Sequence, residues 1–350
     1  MRRLPAAFFI FFIALISTAC KPSWEGPPYL DLKEARHLKR LTQLTFGASN
    51  AEAYFSWDGK RVIFQSTSGG LACDQLFTMN TDGSGLKMVS TGKGRVSCSF
   101  FLPGDEEIIY ASTHHASPDC PPPPDRSKGY VWALYDYEIF RAKADGAGIV
   151  RLTNNPGYDA ELEGVHPDGK RIVFTSFRDG DLDIYTMDAN GGDVHRLTDE
   201  KGYDGGPFYS WDGTKIVYRA FHPKDDQEAS EYDELLSKGL IKPTRAEIFI
   251  MDADGSNKRQ LTDNGAANWA PAWHPNGRQI IFSSNLHAPG TRNFDLYLMN
   301  SDGSSLERLT YGGFNSFPNF SADGNKVLFA SDRRAKDRHE FNIFIADWEP

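Results

Sequence analysis

Cysteine is scarce, with four in 350 residues, and no two stand in a Cys-x-x-Cys spacing, which argues against a zinc site or a thioredoxin-like redox pair. Basic residues are outnumbered, 38 Lys+Arg against 47 Asp+Glu for a formal net charge of −9. The chain therefore carries no footprint for nucleic acid. An apolar run comfortably long enough to span a bilayer is also lacking, since the leading one, Leu4 to Ile16, stops short of the required length. Gly-x-Ser-x-Gly, His-Glu-x-x-His and phosphate-loop glycine patterns are missing, so no hydrolase elbow, zincin or nucleotide cradle is signalled. What is present is aromatic and turn-rich: 24 Phe, 14 Tyr, 7 Trp, 32 Gly and 20 Pro, with 40% apolar residues overall. That composition suits a globular core built of strands.

Arg2 and Arg3 precede the apolar run, and Ser17, Thr18 and Ala19 lead into Cys20. This is the layout of a secretory signal with small residues at its cut. The small residues followed by Cys resemble a bacterial lipoprotein signal, which implies a signal peptide over 1–19 and a lipid on Cys20. A plain secretory signal and an uncleaved anchor remain open. Lys21 stands where an inner-membrane retention signal would favour Asp, so the resemblance implies an outer-membrane anchor facing the periplasm if the host has two membranes. Residues 20–37, rich in Pro and Gly, read as a tether. Cys73, Cys98 and Cys120 follow, and in an oxidising envelope any two can pair. Cys98 with either neighbour is the preferred expectation.

Internal repetition dominates the rest. Ser56-Trp57-Asp58-Gly59-Lys60-Arg61-Val62-Ile63-Phe64 returns at His166–Phe174, Ser210–Tyr218, His274–Phe282 and Ser321–Phe329, with a weaker copy at Leu102–Tyr110. Each copy reads as a strand, a tight turn and a β-branched strand ending in an aromatic. A second element, Leu76-Phe77-Thr78-Met79-Asn80-Thr81-Asp82-Gly83, recurs behind each copy and leads to Leu-Thr at Leu152-Thr153, Leu197-Thr198, Leu261-Thr262 and Leu309-Thr310. The unit is four strands, a to d, at a period of roughly 45 residues, the signature of propeller blades. The sixth copy lacks its d strand, and Arg40 to Thr45 supply one from the other end. The expectation is an all-β, six-bladed β-propeller over 38–350, with the N-terminal strand closing the last blade and leaving no open edge.

Leu-Thr, then Ser-Trp-Asp-Gly-Lys at 56–60 and its copies, then Ile/Leu-x-x-Met-Asn/Asp-x-Asp-Gly resemble the TolB-like six-bladed propellers of PD40 (WD40-like) repeats, whose pattern is Leu-Thr, Trp-Ser-Pro-Asp-Gly-Lys and Ile-Tyr-x-Met-Asn-x-Asp-Gly. The resemblance covers about residues 38 to 347 and implies a fold much more than a function, because related blades also serve as accessory domains of prolyl-oligopeptidase-like enzymes. TolB has a sizeable domain ahead of its propeller where this chain has only the tether, so TolB's own partner contacts are not carried over. The six blades and two insertions consume the chain, which favours a binding or scaffolding module for an envelope protein, peptide or glycan, with no cofactor. A propeller-borne lyase or hydrolase, or an accessory subunit of a separate peptidase, is the alternative.

Candidate site residues follow from the topology. The d–a and b–c connections share one face of the ring, and that face receives two insertions, residues 113–136 with Pro121 to Pro124, and residues 223–245. In the second, Asp225 and Glu228 form a capping box, and Tyr232, Leu235, Leu236 and Leu240 fall on one helical face. A polar position recurs six residues before the Ser or His of each a strand, at Asn50, Asp204, Asn268 and Asn315, with Asp159 one residue further off. These five are expected to ring the channel mouth, where Asp159 and Asp204 would favour a cationic or hydroxyl-rich ligand; the alternative is that they satisfy backbone groups in the d–a turns. His166 and His274 read as repeat variants. His114, His115 and His222 lie on b–c connections without a third metal ligand at a defined spacing, and Asn80–Gly83 and Asp252–Gly255 read as turns rather than calcium loops.

Overall fold

The repeated turn shows how the sequence builds the sheet. Ser56 Oγ donates to Asp58 Oδ1 at 2.7 Å, the same oxygen accepts from Lys60 N at 3.0 Å, and Gly59 takes φ +69°. A side chain there would be strained, which is why the turn is written Asp-Gly. In a computed structural model that describes residues 33–127 and 129–350, these hairpins assemble into six four-stranded antiparallel sheets. Cys20, the proposed signal over 1–19 and most of the tether lie outside the described residues.

The a, b, c and d strands of the first blade are Asn50–Phe55, Arg61–Ser66, Gln75–Asn80 and Lys87–Met88. The inner strands of the other five are Val96–Phe101, Asp159–Val165, Tyr203–Tyr209, Asn268–Trp273 and Asn315–Phe320. In the sixth blade the d strand is Leu38–Gln43, pairing antiparallel with Asn342–Trp348 from Leu38↔Trp348 to Gln43↔Phe344. The ring is thus closed by the start of the chain, as the displaced Leu-Thr element implied. Packing starts ahead of residue 38: Glu34, in a short turn over Glu34–Arg36, is buried and ion-paired with Arg333 at 3.2 Å.

The core lies between blades. The aromatic within each b strand, Phe64, Tyr110, Phe174, Tyr218, Phe282 and Phe329, is fully buried, and each such side chain contributes on the order of 1.5–3 kcal/mol. The Leu-Thr element has a specific task. Thr153, Thr198, Thr262 and Thr310 each accept a hydrogen bond through Oγ1 from the c strand of their own blade, at 2.9 Å from Ile139, Ile184, Ile248 and Leu296 N. The following c–d turn then packs on the preceding blade, where a Cβ on Gly255 would lie 2.9 Å from Leu197 O. Leu-Thr and Asp-Gly are two sides of one blade-to-blade contact.

The insertions meet each other. Helix α1, Asp226–Leu236, is capped by Asp225, whose side chain accepts from Glu228 N. Tyr232 and Leu236 are its buried residues. Leu240 is not on the helix, because Gly239 at φ +66° ends it. Leu240–Ile241 instead pairs with Trp132–Ala133 of the other insertion in a separate two-stranded ribbon.

Candidate functional site

The inner strands carry a feature that the repeats do not spell out. Each is bulged, and the bulged residue has positive φ in all six blades: Glu52, Cys98, Glu161, Gly206, Ala270 and Phe317. A bulge bends its strand and re-aims a side chain. Glu52, Cys98, Glu161 and Phe317 thereby line a cavity of about 810 Å³ at the mouth of the channel. The ribbon of the two insertions roofs it, with Leu134 N donating to Gly239 O at 2.8 Å and Trp269 Nε1 donating to Pro243 O at 2.8 Å.

Below the roof is a buried ionic cluster. Arg219 donates to Glu161 at 2.8 Å and to the Tyr203 hydroxyl at 2.8 Å, Tyr203 donates to Glu161 at 2.7 Å, and Gly206 N donates to the same carboxylate at 3.0 Å. Glu161 is 5% and Arg219 3% exposed. The Arg219 guanidinium also lies 5.1 Å from the ring centroid of Trp132, tying the cluster to the roof. Asp74 and Arg95 pair at 2.6 Å on the same wall. Burial pushes the Glu52 carboxyl above its ordinary range, and the hydrogen bonds from Cys98 offset this only in part. Burial likewise holds the Tyr137 and Tyr158 phenols well above theirs.

The five Asx residues do not ring this mouth. Asn50, Asp159, Asp204, Asn268 and Asn315 are all 2% exposed or less, and none lines the cavity. Asn50 Nδ2 donates to Gly47 O at 2.7 Å and Phe341 O at 2.9 Å, and its Oδ1 accepts from Ser66 Oγ at 2.7 Å. Asn315 makes the same set with Gly312 O, Asp295 and Ser331 Oγ, and Asn268 donates to Ala246 O and Glu247. Asp159 takes Ser176 and Arg178, and Asp204 takes His222 at 3.1 Å. The side chain at this position turns into the d–a turn and the blade seam, where backbone groups need partners. The channel-facing position lies two residues on. The charge expectation changes with it, because the wall acids Asp74 and Glu161 are each held by an arginine.

The disulfide also differs from expectation. Cys73 pairs with Cys120, their Cα atoms 5.8 Å apart, which staples the b–c loop of the first blade to the insertion of the second. Cys98 remains a buried thiol on the bulge, its backbone N–H donating to Glu52 at 3.0 Å. The bulge turns its backbone inward, away from the loops that carry the other two. Among the histidines, His274 packs on Phe320 and His166 on Tyr209. His115, Asp136 and Glu138 come within 4.8 Å of one another through their ligand atoms, but Glu138 is already held by Arg151 at 2.6 Å. The turns Asn80–Gly83 and Asp252–Gly255 close on themselves through Asp82 and Asp254, which accept from Ser84 and Ser256.

A closed six-bladed β-propeller with a roofed, aromatic-walled cavity at one mouth is the class of protein that these elements define. The profile described as TolB beta propeller domain (PD40) matches residues 133–240 and 234–347. The chain belongs to that family. An uncharacterized protein of Agrobacterium fabrum is 29% identical over 236 residues, 63% of this chain and 70% of that one. A dipeptidyl-peptidase 5 of Porphyromonas gingivalis is 38% identical over 100 residues, which are 27% of this chain and 14% of the peptidase. Among solved structures, a putative TolB from Agrobacterium tumefaciens superposes with TM-score 0.59 at 20% identity, covering 89% of this chain and 97% of that one. An oligogalacturonate lyase in complex with manganese gives TM-score 0.53 at 13% identity, covering 88% and 93%. Both likenesses concern the fold.

Proposed function

We propose that this chain is a binding or scaffolding module of the cell envelope, anchored by lipid on Cys20 to the outer membrane facing the periplasm, that captures an envelope protein, peptide or glycan without catalysis of its own. The observation that carries the binding assignment is the cavity of about 810 Å³ roofed by both insertions. Long insertions that meet over a rigid ring form the variable surface on which binding is usually placed. Among the described residues, the opposite face offers the short c–d and a–b turns. The anchor rests on the arrangement of residues 1–21 and on membership of a family whose name derives from an envelope protein. The match to part of a peptidase supports a narrower variant, in which the propeller presents substrate to a separate enzyme.

The test has two arms. Cys20→Ser should release a folded protein from the membrane fraction, and unchanged retention would remove lipidation as the anchor. Affinity capture from detergent-solubilised envelopes, comparing the intact chain with a variant shortened over 223–245, should lose its main co-purifying component in the variant. Retention of that component by a variant with native melting behaviour would place binding elsewhere.

A further inference from the structure

The roofed cavity has one wall of contiguous aromatic rings. Trp132 in the roof lies 5.2 Å from Trp269 by ring centroids, Trp269 stacks on Phe294 at 4.1 Å, Phe294 meets Phe314 at 5.5 Å, and Phe314 meets Phe341 at 5.1 Å. Tyr130, 43% exposed, extends the row at the roof end, 6.2 Å from Trp269. Trp269 and Phe294 are buried within the row, whereas Tyr130, Trp132, Phe314 and Phe341 keep surface toward the cavity.

Arginines stand at both ends of the row. Arg126 lies over Tyr130 with 5.0 Å to the centroid, and Arg292 lies over Phe341 at 5.3 Å. Arg292 also donates to Arg338 O at 2.8 Å, which brings a second guanidinium-bearing residue to that end. All three arginines are exposed and line the cavity. Among the described residues none of them has a carboxylate within salt-bridge distance, whereas Arg95 and Arg219 deeper in are paired. Asp74 and Glu161 are thereby neutralised, and burial works against ionisation of Glu52. The uncompensated charge of the site is positive, although the whole chain is acidic.

An extended peptide would ordinarily be held by adding a strand to a free sheet edge. The edge that faces this channel is interrupted in every blade by the bulge, which breaks the ladder a peptide backbone would need. Ring faces and guanidinium forks remain as the recognising groups. They fit a chain of flat-faced units that carry carboxylates and are otherwise covered in hydroxyls.

We propose that the ligand of this cavity is an acidic oligosaccharide, its sugar faces laid along the aromatic row and its carboxylates taken by Arg126 at one end and Arg292 with Arg338 at the other. The assignment rests on the cavity being the binding site. The test is calorimetric titration of the full chain in detergent with a uronic-acid tetrasaccharide, its neutral hexose counterpart and tetraglutamate. The uronate should bind, the neutral sugar and the peptide should bind at least about tenfold more weakly, and Arg126→Ala with Arg292→Ala should each cost about tenfold, equivalent to ~1.4 kcal/mol. Equal binding of the neutral sugar, equal binding of tetraglutamate, or uronate binding unchanged in both arginine variants would overturn the assignment. So would the absence of uronate binding at concentrations on the order of 1 mM. The parent reading fails separately: if the component captured from envelopes is retained by Trp132→Ala and by the shortened insertion alike, the cavity is not the binding site whatever the sugars do.

Discussion

Removing Arg219 isolates a buried carboxylate. Glu161 is 5% exposed and has Arg219 as its cationic partner at 2.8 Å, with Tyr203 and Gly206 N as further donors. Arg219→Met keeps most of the volume, leaves those neutral donors in place and strips the charge. Breaking one side of a buried pair costs about 3–5 kcal/mol because the remaining charge is uncompensated. The retained donors from Tyr203 and Gly206 set the expectation near the lower end, about 3 kcal/mol. The loss should also loosen the roof, since the guanidinium no longer lies beneath Trp132. Adding Glu161→Gln to Arg219→Met removes the stranded charge and should restore most of the stability, so the double variant should be more stable than the single one. Urea denaturation followed by tryptophan fluorescence measures all three. A single variant within about 0.5 kcal/mol of the parent, or a double variant that is merely additive, would refute the reasoning.

Three further outcomes are expected. Mass mapping of a non-reduced digest should return a Cys73–Cys120 peptide, and Cys120→Ser should destabilise by up to about 4 kcal/mol for a bridge of sequence separation 47, while Cys98→Ser leaves the bridge intact; a bridge through Cys98 would contradict the loop staple. Asn315→Ala removes bonds to Gly312 O, Asp295 and Ser331 and should lower stability by about 1–3 kcal/mol without changing ligand affinity; an affinity change in a folded variant would return this position to the mouth. The Glu228 carboxyl is held down to about 2, first by the hydrogen bonds from Arg245 and then by Lys224 N. Its folded value lies below the ordinary 4.5, so the contribution is full above that pH and fades as pH falls toward 2. Protection factors of residues 223–245, corrected for the intrinsic pH dependence of exchange, should fall as pH drops from 4.5 toward 2 in the parent and show no such step in Glu228→Gln; a step of the same size in both would assign it to another group.

Much of this molecule was legible before its structure. The Asp-Gly and Leu-Thr elements are local devices repeated from blade to blade, and a short-range turn or a strand end is written where it occurs. Ring closure was readable because a d strand was missing at one end and present at the other. The site was harder. The Asx series is conspicuous because seams need hydrogen-bonding side chains, and the same polarity would suit a channel lining, so the residue types alone do not separate the two. The bulged positions carry Glu, Cys, Glu, Gly, Ala and Phe, a set with no shared chemistry, because a bulge is imposed by ring geometry. Their fixed offset of two residues from the Asx position was the one available signal. The ribbon of Trp132–Ala133 with Leu240–Ile241 and the Cys73–Cys120 bridge join segments distant in sequence, and no local pattern announces such contacts. Asp225 caps the helix as the sequence implies, although the Glu228 side chain reaches Lys224 N rather than Asp225 N, and Leu240 leaves the helical face because the turn at Gly239 redirects the chain toward the other insertion.

Binding under the roof of the two insertions is the proposal on which the rest depends. A photo-reactive phenylalanine analogue placed at Tyr130, beside the cavity, and separately at Ser84, in a turn of the opposite face, tests it in intact cells. Irradiation should link the Tyr130 position to one envelope component, resolved by mass spectrometry, and leave the Ser84 position without that product. The same adduct at Ser84, with none at Tyr130, would place binding on the opposite face.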